Sequence, residues 1–133
     1  MITITTTIIL SFIGKILGGF DKLIIMLIIF MAMDYVTGIM KSIINKRISS
    51  EIGFKGIFKK ILILFMIAIS HEIDSVFNYV GIRYLIITFY IVNEGISIVE
   101  NASIIGLPIP QKIKVTLETL KTNRKWFVFD FKP

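Results

Sequence analysis

The chain has 133 residues, 55% of them hydrophobic and only 18% charged, with a mean hydropathy of +0.84. A soluble domain this small has too little interior to hide so much apolar surface, so composition points to a single all-α integral membrane domain. The net charge is +6 and there is no cysteine, which excludes a disulfide framework and a thiol-rich metal site, and no basic helix or aromatic–basic motif points to nucleic acid.

Residues 1–22 do not read as a clean span. Ile9, Ile13, Ile16 and Phe20 fall on one helical face, with Ser11, Lys15, Gly18 and Lys22 on the opposite one. That periodicity predicts an amphipathic helix lying in the membrane interface. Gly14 and Gly18 have small-xxx-small spacing, a weak helix-packing signal. The apolar start IILSFIG has no preceding Lys or Arg and no small-residue cleavage site, so insertion is expected to use the spans themselves.

Residues 23–40 predict the first span. The run is unbroken from Leu23 to Met33, and eighteen residues reach about 27 Å as a helix, close to the hydrocarbon thickness. Asp34, Gly38, Lys41 and Asn45 share a face. Residues 41–60 predict a basic connector, with Lys41, Lys46, Arg47, Lys55, Lys59 and Lys60 against the single acid Glu51. Ser49 or Ser50 can cap a short helix there, and helix resumes by Ile57.

Residues 57–78 predict the second span. Its strictly apolar core, Ile61–Ile69, is too short to cross alone. Crossing requires His71, Glu72 and Asp74 near the far surface or inside a bundle. Gly81 and Arg83 mark a turn. Residues 84–102 predict the third span, with a polar stripe of Tyr90, Asn93, Glu94, Ser97, Glu100 and Asn101; Gly106, Pro108 and Pro110 then stop the helix.

The tail, 111–133, opens on a short amphipathic helix with Ile113, Leu117 and Leu120 on its apolar face and Lys114 and Glu118 spaced to pair. It ends on Trp126, Phe127, Phe129 and Phe131 among cations, a composition that suits either the headgroup region or a disordered end. Twelve Lys or Arg lie in the connector and tail against three elsewhere. That asymmetry places both in the cytoplasm of a multi-pass membrane protein.

Charge inside a span needs a partner, a proton or water. His71, Glu72, Asp74 and Arg83 form an outer group explained by pairing or solvation, and one His without Cys is a poor metal set. Glu100 is expected to pair with Lys41, Lys59 or Lys60. Asp34 and Glu94 both sit about 17 Å deep by helical rise, with no cation expected at that level. They are either protonated contacts between packed helices or the lining of a wet lumen, and the polar stripes favour the lumen. The candidate pore or interhelical polar residues are therefore Asp34, Lys41, His71, Asp74, Asn93, Glu94, Ser97, Glu100 and Asn101. The candidate lipid-facing cations are Lys46, Arg47, Lys55, Lys59 and Lys60. No catalytic constellation is visible, and no cofactor is expected.

The stretch DYVTGIMKSIINKRISSEIGFKGIFKK, followed by NEGISIVENASIIGLPIP, resembles the toxin-secretion and phage-lysis holins across roughly residues 23–121. The resemblance implies several membrane helices, self-assembly and timed permeabilisation that lets a cell-wall hydrolase or a large toxin leave the cell. A small ion channel or ion-coupled transporter, and a membrane anchor that recruits a partner through its basic connector, are the competing expectations.

Overall fold

The computed structural model describes residues 1–78 and 81–124, without the side chains of Leu120, Lys121, Asn123 and Arg124. The aromatic tail with Trp126, Phe127, Phe129 and Phe131 lies outside the described residues, as does the Leu120 part of the last apolar face. The described residues form five helices and no strand: α1 (Ile2–Leu17), α2 (Lys22–Ile44), α3 (Ser50–Phe77), α4 (Ile82–Ile105) and α5 (Gln111–Arg124).

Local chemistry sets these boundaries. The threonine cluster at the start of α1 is compatible with helix because each hydroxyl bonds back one turn, Thr5 to the Met1 carbonyl, Thr6 to that of Ile2 and Thr7 to that of Thr3. Gly18 ends α1 in the left-handed region (φ 80°). Asp21 then caps α2 by accepting from the Ile24 N–H at 3.0 Å. Ser49 caps α3 through the Ile52 N–H at 3.2 Å, as the sequence suggested. Gly106 (φ 113°) closes α4 ahead of Pro108 and Pro110.

The expected connector over 41–60 shrinks to the turn between Ile44 and Ser50. Lys41 belongs to the last turn of α2, and Lys55, Lys59 and Lys60 belong to α3. The capped segment is not a separate short helix but the start of α3, which runs unbroken for 28 residues. Gly53 and Gly56 do not interrupt it. The Tyr35 ring fills the space beside them, and a Cβ at either glycine would lie 3.4 Å from that ring or its hydroxyl.

Among the described residues two helices, α2 and α4, are long and apolar enough to cross a membrane, not three. The long α3 misses because Lys60, Glu72 and Asp74 leave only the short apolar stretch between them. Only 17% of the apolar window of α2 and 22% of that of α4 is buried, so neither is the covered core helix of a soluble domain. Much of their outward surface is Ile, Met, Phe and Val.

The core lies where α1, α2, α3 and α4 meet. It consists of Leu17, Ile24, Leu27, Met31, Ile63, Ile67, Ile87 and Ile91. Buried positions recur at three- and four-residue steps: Ile24, Leu27 and Met31 on α2, Ile63, Ile67 and Ser70 on α3, and Ile87, Ile91 and Glu94 on α4. That is the seam of a coiled-coil-like bundle. Surrounded by lipid, such a seam is held by close packing and polar bridges rather than by a hydrophobic driving force.

α2 and α4 form the most extensive interface and run parallel. Asp21 meets Arg83 at one end, and Lys41 meets Asn101 at the other. α3 returns antiparallel to both and packs mainly on α4. α1 packs against α3, and its buried residues are Gly14 and Leu17. The face of Ile9, Ile13, Ile16 and Phe20 is exposed on the outside of the bundle.

Candidate functional site

Three residues form a charged layer one turn beyond the apolar core. Asp34 follows Met31 on α2, Glu94 follows Ile91 on α4, and Lys60 precedes Ile63 on α3. The Lys60 ammonium donates to Asp34 Oδ2 at 2.6 Å and to Glu94 Oε2. The Glu94 side chain is 6% exposed, and those of Asp34 and Lys60 are 17% exposed. This corrects the expectation that no cation shares the level of the two acids. The reason lies in the hairpin. Asp34 is ten residues before the end of α2 and Lys60 ten residues after the start of α3, so each lies about 15 Å from the turn. Reading 41–60 as a connector, with the span resuming only by Ile57, placed Lys60 too shallow.

Asn101, buried on α4, ties this layer to the next turn. Its amide donates to Asp34 Oδ1 at 3.3 Å and to Thr37 Oγ1 at 3.1 Å, and its oxygen accepts from Lys41 at 2.8 Å. One ammonium serves two carboxylates, so the layer holds one more acid than base. A low-dielectric interior tolerates that only with a proton on the acids or with water in reach.

Water has a route. A cleft of about 810 Å³ opens between α2, α3 and α4 toward the α2–α3 turn. Its floor is Asp34, Lys60, Glu94 and Asn101. Its walls include Tyr35, Gly38, Lys41, Ser42, Ser49, Lys55, Lys59, Asn93 and Ser97. On the other side of the floor the apolar core fills the space between the helices, with Ile24, Leu27, Ile67 and Ile87 fully buried. The cleft is therefore open at one end and stopped at mid-bundle.

A separate polar cluster closes the opposite end. Arg83 donates through Nε to the Leu17 carbonyl at 2.7 Å, through Nη1 to Asp21 Oδ2 at 2.7 Å and through Nη2 to the Gly19 carbonyl at 3.2 Å. One guanidinium thus covers the C-terminus of α1 and pairs with the cap of α2. Burial opposes the charge on Asp21, but the Ile24 N–H and the Arg83 bond outweigh it and hold the carboxyl below its usual range. Asp74 accepts from the Ile82 and Arg83 backbone N–H groups at 3.1 and 3.0 Å and so caps α4 from α3. His71 lies against Gly18.

The sequence-picked residues therefore divide. Asp34, Lys41, Asn93, Glu94, Ser97 and Asn101 share the cleft, as do Lys55, Lys59 and Lys60. His71 and Asp74 lie at the far end and serve the α1–α3–α4 junction. Glu100 lines a different, smaller hollow of about 280 Å³ beside Lys114 and Glu118 of α5. The ion pairs among the described residues are Lys60–Asp34, Lys60–Glu94 and Arg83–Asp21. Lys60 thus serves Asp34 and Glu94, and the Lys114–Glu118 pair is not among these. Lys46 and Arg47 stay outside the cleft, on the turn, where Lys46 takes a left-handed backbone (φ 53°). Sequence reasoning missed Asp21, although an acid just before an apolar run is a helix-start signal. It also missed Tyr35, whose role depends on glycines in another helix.

A family model described as the bacteriophage holin family matches residues 11–122. Among similar proteins is a 14.9 kDa protein from the nagH 3′ region of Clostridium perfringens, 40% identical over 82% of this chain and 84% of its own length. The Bacillus subtilis protein YtkC is 36% identical over 84% of both chains. An uncharacterised protein of Listeria monocytogenes is 40% identical over 76% of this chain and 73% of its own. No solved structure matches.

Proposed function

The chain belongs to the bacteriophage holin family, and from that premise we propose that it assembles with copies of itself in the bacterial cytoplasmic membrane and permeabilises it. The family is one of non-enzymatic, membrane-permeabilising proteins. The substance released is a cell-wall hydrolase or a large toxin.

The observation that carries this reading is the Asp34–Lys60–Glu94 layer at the bottom of a cleft stopped by apolar packing. A single copy holds polar groups at mid-membrane depth but no passage past the core. A wet path across the bilayer then needs several copies, or a core that parts, to bring such surfaces together. The helix directions support a bundle that crosses three times. Because α2 and α4 are parallel, a chain that crosses in both must return in α3, whose Lys60 charge is matched inside the bundle. The Lys/Arg count puts the α2–α3 turn and α5 in the cytoplasm. There Lys46 and Arg47 meet anionic headgroups, at about 1 kcal/mol each.

A second reading, a small ion channel or ion-coupled transporter, draws on the surplus acid in the charged layer. Inducible expression with a cytosolic reporter enzyme separates the two. The proposed function gives abrupt growth arrest with reporter activity in the medium. Loss of ion balance with the reporter retained inside the cells would instead favour the channel.

A further inference from the structure

The lysines of the cleft outnumber its acids by four to two, and Lys60 already serves both acids. Lys41, Lys55 and Lys59 are left around one cavity. Lys41 commits one N–H to Asn101; Lys55 and Lys59 form no ion pair among the described residues. Three like charges on a shared hollow repel one another, and a counter-anion relieves that repulsion.

We infer that this cleft seats the phosphate of one anionic phospholipid from the leaflet at the α2–α3 turn, with Lys41, Lys55 and Lys59 around the headgroup. The volume, about 810 Å³, is that of a ligand site. The lining is amphipathic. The lysines and Ser42 are polar, while Ile39, Ile48 and Ile52 give an apolar wall on the same opening. A free phosphate uses only the polar part; a lipid uses both. Lys41 and Lys55 also lie at least a turn nearer the α2–α3 turn than the Asp34 layer, toward the end of the bundle where headgroups stand, and Lys59 sits at the inner edge of the cleft. The inference rests on the chain being in a membrane, but not on its permeabilising that membrane.

The test uses the full chain in detergent micelles that contain equal phosphatidylglycerol and phosphatidylcholine, with bound lipid read by native mass spectrometry. One phosphatidylglycerol is retained in clear preference. Lys55→Gln with Lys59→Gln lowers that preference by about thirtyfold, since each cation near an anionic group contributes a factor of about five. Both side chains are exposed, so folding is unaffected. Lys15→Gln with Lys22→Gln removes the same charge outside the cleft and leaves the preference unchanged. Inorganic phosphate at millimolar concentration does not displace the lipid. Equal retention of the two lipids, equal loss in both double variants, or occupancy by inorganic phosphate in place of lipid would each overturn the assignment. Lipid retention alone decides this, and reporter release alone decides permeabilisation, so either can fall without the other.

Discussion

Lys60 holds the cleft half of the bundle together by serving two acids on two different helices. Removing it leaves both carboxylates facing each other in a half-buried site, so Lys60→Met should destabilise the folded protein by about 3 kcal/mol. Glu94→Gln should cost much less, because the Lys60–Asp34 pair survives it. Adding Asp34→Asn and Glu94→Gln to Lys60→Met should recover most of the loss. Unfolding in mixed micelles reads all three, and no recovery in the triple variant would show that the lysine acts by packing alone. At the other end, Asp21 carries the pH dependence. Against the opposing effect of burial, the Ile24 N–H and Arg83 hold its carboxyl below the usual aspartate range in the folded state. A depressed acid stabilises fully above its unfolded value and loses that contribution as pH falls through the folded one. The mobility of a spin label at Ser11→Cys on α1 should therefore stay constant from pH 7 to about pH 4 and rise below it. In Arg83→Gln the label should be mobile already at neutral pH.

Among the helices, α1 depends on one point of close approach. Gly18 and Gly19 both have positive φ, at 80° and 101°, so an alanine at either carries a left-handed backbone cost of about 1–2 kcal/mol. Only at Gly18 does the added Cβ meet neighbours, 2.6 Å from His71 Nδ1 and 2.7 Å from Arg83 Nε. Gly18→Ala should release α1 from α3, while Gly19→Ala should weaken the turn and leave α1 docked, as a label distance from Ser11→Cys to Ser75→Cys would record. The small-residue spacing of Gly14 and Gly18 was legible in the sequence; its target was not. Gly14 accommodates Phe20 of its own chain segment, and Gly18 accommodates two side chains from α3 and α4. The same pattern runs through the site. Helix existence, the Ser49 cap and the stop at Gly106 followed from local signals. So did the face bearing Asp34, Gly38 and Lys41. The extent of α3 did not, because two glycines and a run of lysines read as loop unless one knows that Tyr35 packs over them. That single error hid Lys60 from Asp34 and Glu94.

For the whole molecule, the helix directions make topology a strict test. The end of α2, the start of α3 and the end of α4 all lie at the cleft end of the bundle, where Lys41 meets Asn101. α5 follows Gly106 after a short Pro-containing link and lies beside the last turns of α4, sharing the hollow lined by Ser103, Ile109 and Leu117. Ser49 and Thr122 must then face the same compartment whichever way the protein inserts. In the proposed orientation, drawn from the Lys/Arg distribution, that compartment is the cytoplasm. Single cysteines at Ser49 and Thr122 should resist a membrane-impermeant thiol reagent in intact cells and react after permeabilisation. A cysteine at Gly19, at the opposite end beside the Arg83 cluster, should react in intact cells. Reaction at Ser49 and Thr122 together, with Gly19 protected, would invert the orientation but keep the bundle. Opposite behaviour of Ser49 and Thr122 would contradict the parallel arrangement of α2 and α4 itself. Labelling must be done before permeabilisation begins, because a membrane already breached gives all three sites the same access.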